Sequence, residues 1–227
     1  MTAVHTDMNS ARAEICRVGA SLFARGYVHA TAGNISVRLA PEAGGGFLIT
    51  PTDACLGNLQ PQNLAHVADD GTALSGGRPS KTLTLHRRIY DAAPNARCVL
   101  HTHSTHLVAL TLRGVWQDGD VLPPITPYFV MKVGHVPLVP YFRPGDPRVG
   151  DRVAQSIAAH AERGIALRAV LCDRLGPQVW DASPAAAMAV LEELEETARL
   201  WLMSAAQVQP LSEERIAELR AQFGAQW

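Results

Sequence analysis

Apolar positions along the chain alternate between helical spacing and a two-residue period, and the switches between them mark the elements. From about Met8 to Arg25, Ile15, Val18, Leu22 and Phe23 recur on one side and Gly26 follows, which predicts an amphipathic helix. The turn Thr31-Ala-Gly33-Asn34 leads into Ile35-Ser-Val-Arg-Leu, an alternating run that predicts a strand. Phe47-Leu-Ile-Thr is a second strand, cut by Pro51, and Gly44 to Gly46 read as the hairpin loop between two antiparallel strands. A loop with Gly76, Gly77 and Pro79 opens a helix from about Lys81 to Ala93. Cys98-Val-Leu-His reads as a buried strand, followed by a helix from Ser104 to Leu112 with Ser104 as its cap.

The second half repeats the interleaving. Pro123 to Pro147 is proline-rich strand and loop, and Pro147 to Arg163 is a helix with Val149, Val153 and Ile157 on one face. Ala169-Val-Leu and Gln178-Val-Trp are short strands around Leu175-Gly-Pro. Ser183-Pro184 combines a cap with a first-turn proline and opens the longest helix, to about Ala206; a last helix covers about Ser212 to Phe223. This pattern predicts one α/β domain over residues 1–227, with a mixed or antiparallel sheet covered by helices.

Composition narrows the partners. A net charge of −1 supplies no basic face for a phosphate backbone, so no nucleic acid is expected. No apolar stretch reaches membrane-spanning length, so no membrane is expected either. The opening MTAVHTDMNS has neither the basic nor the apolar part of a signal peptide. Cys16, Cys55, Cys98 and Cys172 are scattered, which suits reduced thiols in a cytoplasm. No glycine-rich nucleotide motif is present.

The sharpest chemical signal is His101-Thr-His103-Ser-Thr-His106 at a strand end. In extended chain, residues i and i+2 point to one side, so His101 and His103 can offer two neutral imidazoles to one cation. The other reading is a pair of hydrogen-bonded polar residues, and His106 reads as supporting or structural. A second signal is three polar loops, Thr31-Ala-Gly-Asn34-Ile-Ser36, Thr50-Pro-Thr52-Asp53 and Pro79-Ser80-Lys81. Their hydroxyl, amide and backbone N–H groups suit an anion, and Ser80 and Lys81 sit at a helix start; ordinary turn chemistry is the alternative. Tyr128 is a candidate proton donor or a packed aromatic. Arg143-Pro-Gly-Asp146 is an anion clamp or a surface turn. Glu192 to Arg199 reads as a solvated helix face, with Glu192 and Glu196 flanking Arg199 above an apolar inner edge.

In this order and spacing, GNIS at Gly33 to Ser36, ITPTD at Ile49 to Asp53, PSK at Pro79 to Lys81 and HTHSTH at His101 to His106 resemble the class II aldolase/adducin family. Pro79-Ser-Lys, the Thr126 to Gly134 stretch, Val139 to Asp146 and the long helix resemble its 3-oxo-tetronate 4-phosphate decarboxylase branch most. The resemblance implies a three-layer α/β/α fold with a central, mainly antiparallel sheet, and a homotetramer with active sites between subunits. It implies a divalent metal, zinc, on His101 and His103, and a small phosphorylated sugar acid as substrate. That substrate would lose a carbon–carbon bond through an enediolate, by decarboxylation or retro-aldol cleavage. Its phosphate would lie among Thr31, Asn34, Thr52, Ser80 and Lys81, with Tyr128 as proton donor, from the same or a neighbouring subunit, and Lys81 supplying charge. Two positions depart from the pattern. The family's glutamate after the Pro-Ser segment falls on Thr82, and its third metal histidine falls on Leu175. Asp173 or Cys172 would then replace the lost ligand, or the chain keeps the fold and binds a ligand or partner without catalysis. Epimerase chemistry is a further possibility on the same fold.

Overall fold

The computed structural model describes residues 7–205 and 207–227. Residues 1–6, part of the opening MTAVHTDMNS, and Ala206, the expected helix end, lie outside the described residues. In chain order the elements are α1 (Met8–Ala24), β1 (Asn34–Arg38), β2 (Phe47–Ile49), β3 (Ala65–Val67), β4 (Ala73–Ser75), α2 (Leu83–Ala92) and β5 (Cys98–His101). They continue with α3 (Thr105–Arg113), β6 (Leu138–Val139), α4 (Arg148–Ala161), β7 (Ala169–Cys172), β8 (Gly176–Asp181), α5 (Pro184–Met203) and α6 (Glu213–Phe223).

All strands join one sheet in the order β4-β3-β2-β1-β5-β8-β7-β6. Every pairing is antiparallel except β6 with β7. Strand alternation divides the core between the two faces. Ile35, Val37, Leu48, Cys98, Leu100, Leu171 and Val179 point to the side covered by α1, α3 and α5. Ile49, Val99, Val170, Cys172 and Trp180 point to the side covered by α2 and α4. This is the expected α/β/α sandwich with a mainly antiparallel sheet.

The caps explain where the helices begin. Asp7 accepts from Asn9 N and Ser10 N at α1, and Ser183 accepts from Ala186 N at 3.1 Å in front of Pro184 at α5. The Gly44 to Gly46 turn has positive φ throughout and returns β1 to β2 in register, Val37 opposite Leu48. Phe23 departs from expectation. It is 42% exposed and lies over Gly57, where a Cβ would come within 2.6 Å of its ring, instead of entering the core.

Two polar segments also resolve differently. Asp146 is buried and accepts from Arg148 through N at 3.0 Å, Nε at 3.0 Å and a terminal guanidinium nitrogen at 2.7 Å. Those bonds hold its carboxyl at about 2, so Asp146 belongs to the turn that starts α4. In α5, Arg199 pairs with Glu196 at 2.7 Å, but Glu192 pairs with Arg25 at 2.9 Å. Glu195 leaves the solvated face altogether. It is 4% exposed and accepts from His106 N at 2.9 Å and Leu107 N at 3.1 Å, with His106 Nδ1 at 2.8 Å. It therefore caps α3 from another helix, whereas Ser104 makes no side-chain cap bond and pairs with Thr102 Oγ1 at 2.5 Å.

Candidate active site

The candidate site is built at one end of the sheet, where β1 begins and β5 ends. Asn34, His101 and Gln178 face one another across β1, β5 and β8, so three polar side chains form a row. His101 is 7% exposed, and its Nδ1 lies 2.8 Å from the Pro177 carbonyl. A carbonyl can only accept, so Nδ1 carries the proton and Nε2 keeps its lone pair. Burial first and neighbouring His103 second lower the His101 pKa to about 4, against the Pro177 bond, so the ring is neutral at pH 7. Burial and then His29 also lower that of the half-buried His103. The two ring centres are 4.9 Å apart, so the motif does bring both imidazoles together as the i, i+2 spacing predicted.

Two glycines let backbone crowd against this motif. Gly176 has φ 104°, and a Cβ there would meet the Thr102 carbonyl oxygen at 2.2 Å. Gly33 has φ 85°, and a Cβ there would meet the His101 carbonyl oxygen at 2.8 Å. The β7–β8 turn is thereby held against Thr102 and His103, and the loop before β1 against His101.

Beneath the row lies a polar layer that periodicity did not reveal. His86 of α2 is wholly buried, with Nδ1 2.8 Å from Ser36 Oγ, and Tyr90 OH is also 2.8 Å from that oxygen. Burial lowers the His86 pKa to about 3, with His101 adding to the effect. Asn34 Oδ1, His86 Nε2 and Gln178 Oε1 are buried without a hydrogen-bond partner. Orphaned polar atoms cost about 1–3 kcal/mol each, and these three are polar groups around His101 that a ligand could satisfy. Two neutral imidazoles, one with its tautomer fixed by a backbone carbonyl, fit a divalent cation.

The three anion-suited loops meet at the same end. Thr52 N donates to Arg78 O at 2.9 Å and Ser80 N to Thr50 O at 3.2 Å, joining the second loop to the third. Thr50 Oγ1 accepts from Ile35 N at 3.2 Å, joining both to β1. Asn34 is buried, Thr52 and Ser80 are half-buried, and Thr31 and Lys81 are exposed. The helix after Ser80 starts later than expected, at Leu83, and Thr82 Oγ1 spends its bond on Ser80 Oγ at 2.7 Å. Tyr128 stands apart. It is 60% exposed, precedes a π-turn at Phe129–Val133, and its side chain makes no hydrogen bond or ring contact among the described residues.

The expected replacement ligands are not in place. Cys172 is 2% exposed in the apolar layer under α4, and burial raises its thiol to about 12, far from a ligating thiolate. Asp173 lines a separate depression with Tyr141, Arg152 and His160. Leu175 packs against the same apolar layer. Among the described residues, no three His, Cys, Asp or Glu side chains already converge on one metal position.

A three-layer sandwich with a histidine pair at the sheet end defines a class of enzyme, and the family comparison agrees. Residues 13–202 match the model of the Class II Aldolase and Adducin N-terminal domain, and the chain belongs to that family. It is 57% identical over 221 residues to a 3-oxo-tetronate 4-phosphate decarboxylase of Cupriavidus necator, covering 95% of this chain and 97% of the relative. The Escherichia coli K12 protein of the same name is 42% identical over 93% of this chain and 96% of its own length. The crystal structure of YgbL from Escherichia coli, described as an aldolase, epimerase or decarboxylase, superposes with a TM-score of 0.83 at 43% identity. That match covers 94% of this chain and 99% of YgbL. The chain is thus a carbon–carbon lyase of the class II aldolase family, a family of divalent-metal enzymes. The non-catalytic alternative gains nothing from these relatives. Among the described residues, no helix is long and apolar enough to cross a membrane.

Proposed function

We propose that this chain is a metal-dependent decarboxylase of a 3-oxo-tetronate 4-phosphate or a close four-carbon analogue. The observation that carries the reading is the His101–His103 pair with its fixed tautomer, in a chain 57% identical over nearly its full length to a decarboxylase of that name. In such an acid the ketone is β to the carboxylate. Breaking the bond to the carboxyl carbon releases CO₂ and sends its electron pair toward the ketone oxygen as an enediolate. A divalent cation, zinc by preference for imidazole nitrogen, would supply the Lewis acid for that charge.

His101 and His103 would hold the cation through their unprotonated nitrogens. Thr31, Asn34, Thr52, Ser80 and Lys81 would hold the phosphate, since their loops meet beside the histidines and Lys81 adds a positive charge. Lys81 also neutralises charge close to the reacting carbons. Departing CO₂ needs no base to take a hydroxyl proton, which is compatible with Thr82 where the family pattern has glutamate. The carbanion carbon then takes one proton to give a three-carbon ketose phosphate. Tyr128 is the proposed donor, in a homotetramer whose sites lie between subunits; its exposure within one chain is compatible with that reading. We read residues 1–227 as one domain of a cytoplasmic enzyme, supported by the single sheet from residue 34 to residue 181.

The test supplies 3-oxo-tetronate 4-phosphate to protein loaded with Zn²⁺ or another divalent ion and follows CO₂. Stoichiometric CO₂ that disappears with chelator and returns with metal is the expected result. An acid left intact by the metal-loaded protein would count against the reading.

A further inference from the structure

The histidine pair needs a third protein ligand, and the residues first expected there point elsewhere. Another imidazole is nearby. The ring centre of His29 lies 6.2 Å from that of His103. Imidazoles sharing one tetrahedral cation at about 2.0–2.1 Å per bond have ring centres about 5 Å apart. His101 and His103 already meet that separation at 4.9 Å, and His29 falls short of it toward His103 by little more than an ångström. His29 is exposed, so rotation about its side-chain torsions can close that gap without moving buried atoms.

The backbone keeps His29 in reach. Ala32 N donates to His29 O at 2.9 Å, closing a tight turn, and Ala30 within it has φ 46°, a conformation rare for a residue with a Cβ. Such strain persists where surrounding structure holds it, and it is common at ligand clamps. Gly33 then docks the same loop against the His101 carbonyl. His86 does not compete. It is wholly buried, its Nδ1 is engaged by Ser36 Oγ at 2.8 Å, and its ring is enclosed on α2 where it cannot swing toward His103 as an exposed side chain can.

We propose that His29 is the third protein ligand of the divalent cation held by His101 and His103, taking the place that Leu175 cannot fill. Three imidazoles leave the fourth position open, as a catalytic site requires. The proposal rests on the metal-dependent reading above.

The experiment titrates Co²⁺ into the metal-free full-length protein and records affinity and visible spectrum, with no substrate present. Wild type, His29→Ala, His29→Asp and His103→Ala are compared, with metal-free melting curves as the check on folding. The expected result is a loss of affinity in His29→Ala beyond the 10–100-fold typical of outer partners, matching His103→Ala, with the intense tetrahedral bands lost. His29→Asp, which restores a donor, should recover part of both. Wild-type affinity and spectrum in His29→Ala would overturn this proposal while leaving the metal-dependent reading intact. Absence of Co²⁺ binding by the wild type would overturn both.

Discussion

Glu195→Ala should cost more than any other change in the acidic run of α5. The carboxylate is 4% exposed and serves two backbone N–H groups of the first turn of α3, at 2.9 and 3.1 Å, as well as the His106 ring. Alanine removes all three bonds and leaves donors at a helix start that the chain itself cannot satisfy. Each orphaned buried donor costs about 1–3 kcal/mol, and loss of a helix cap by itself costs about 0.5–2 kcal/mol. His106 is partly open to solvent, so water recovers some of the loss. The expected cost is about 3–4 kcal/mol, a large share of the roughly 5–15 kcal/mol of a whole domain. Urea unfolding followed by circular dichroism measures it as a lower midpoint at unchanged slope. Glu196→Ala, one residue on, is the internal control, because its exposed pair with Arg199 should leave the midpoint unmoved. A Glu195→Ala loss below about 1 kcal/mol would refute the cross-helix cap and return Glu195 to the solvated face. Because α3 follows directly on His103 and Ser104, the same variant should also weaken metal binding.

Other consequences are as definite. Gly176→Ala puts a Cβ 2.2 Å from the Thr102 carbonyl oxygen at φ 104°, so it should destabilise by at least about 2 kcal/mol and displace His103; unchanged melting and metal affinity would count against the close approach. Metal-free protein should lose stability as pH falls. His86 and His101 have folded pKa values of about 3 and about 4, below the ordinary 6.5, so the unfolded chain binds more protons between them. The stabilisation is fully present above pH 6.5 and declines below it toward those folded values. Urea midpoints at pH 7 and 4.5 measure it, and an equal midpoint at both would contradict the buried neutral imidazoles.

Much of this architecture is legible in the sequence because it is local. Ser183-Pro184 announces α5, and the Gly44 to Gly46 run announces the β1–β2 hairpin, since capping and positive φ depend on neighbours in the chain. The His101-Thr-His103 spacing places two rings together for the same reason. By contrast, β3 and β4 are three residues each, and β4 is exposed throughout, so no alternation can show them. The polar layer is invisible in sequence because Ser36 meets His86 across 50 residues, and Gln178 meets His101 only through strand order. Glu195 sits on a heptad-like surface pattern and is drawn inward by the unsatisfied start of a helix 89 residues away. Leu175 and Thr82 show what is missing, but only the folded loop shows that His29 stands near His103.

The most direct measurement compares metal-loaded wild type with metal-loaded His101→Ala for CO₂ release from 3-oxo-tetronate 4-phosphate. The account predicts rapid, metal-dependent release by the wild type and loss of at least about 100-fold in the variant, together with weakened metal binding. Wild-type rates in His101→Ala, or a metal-loaded wild type that leaves the acid intact, would contradict it.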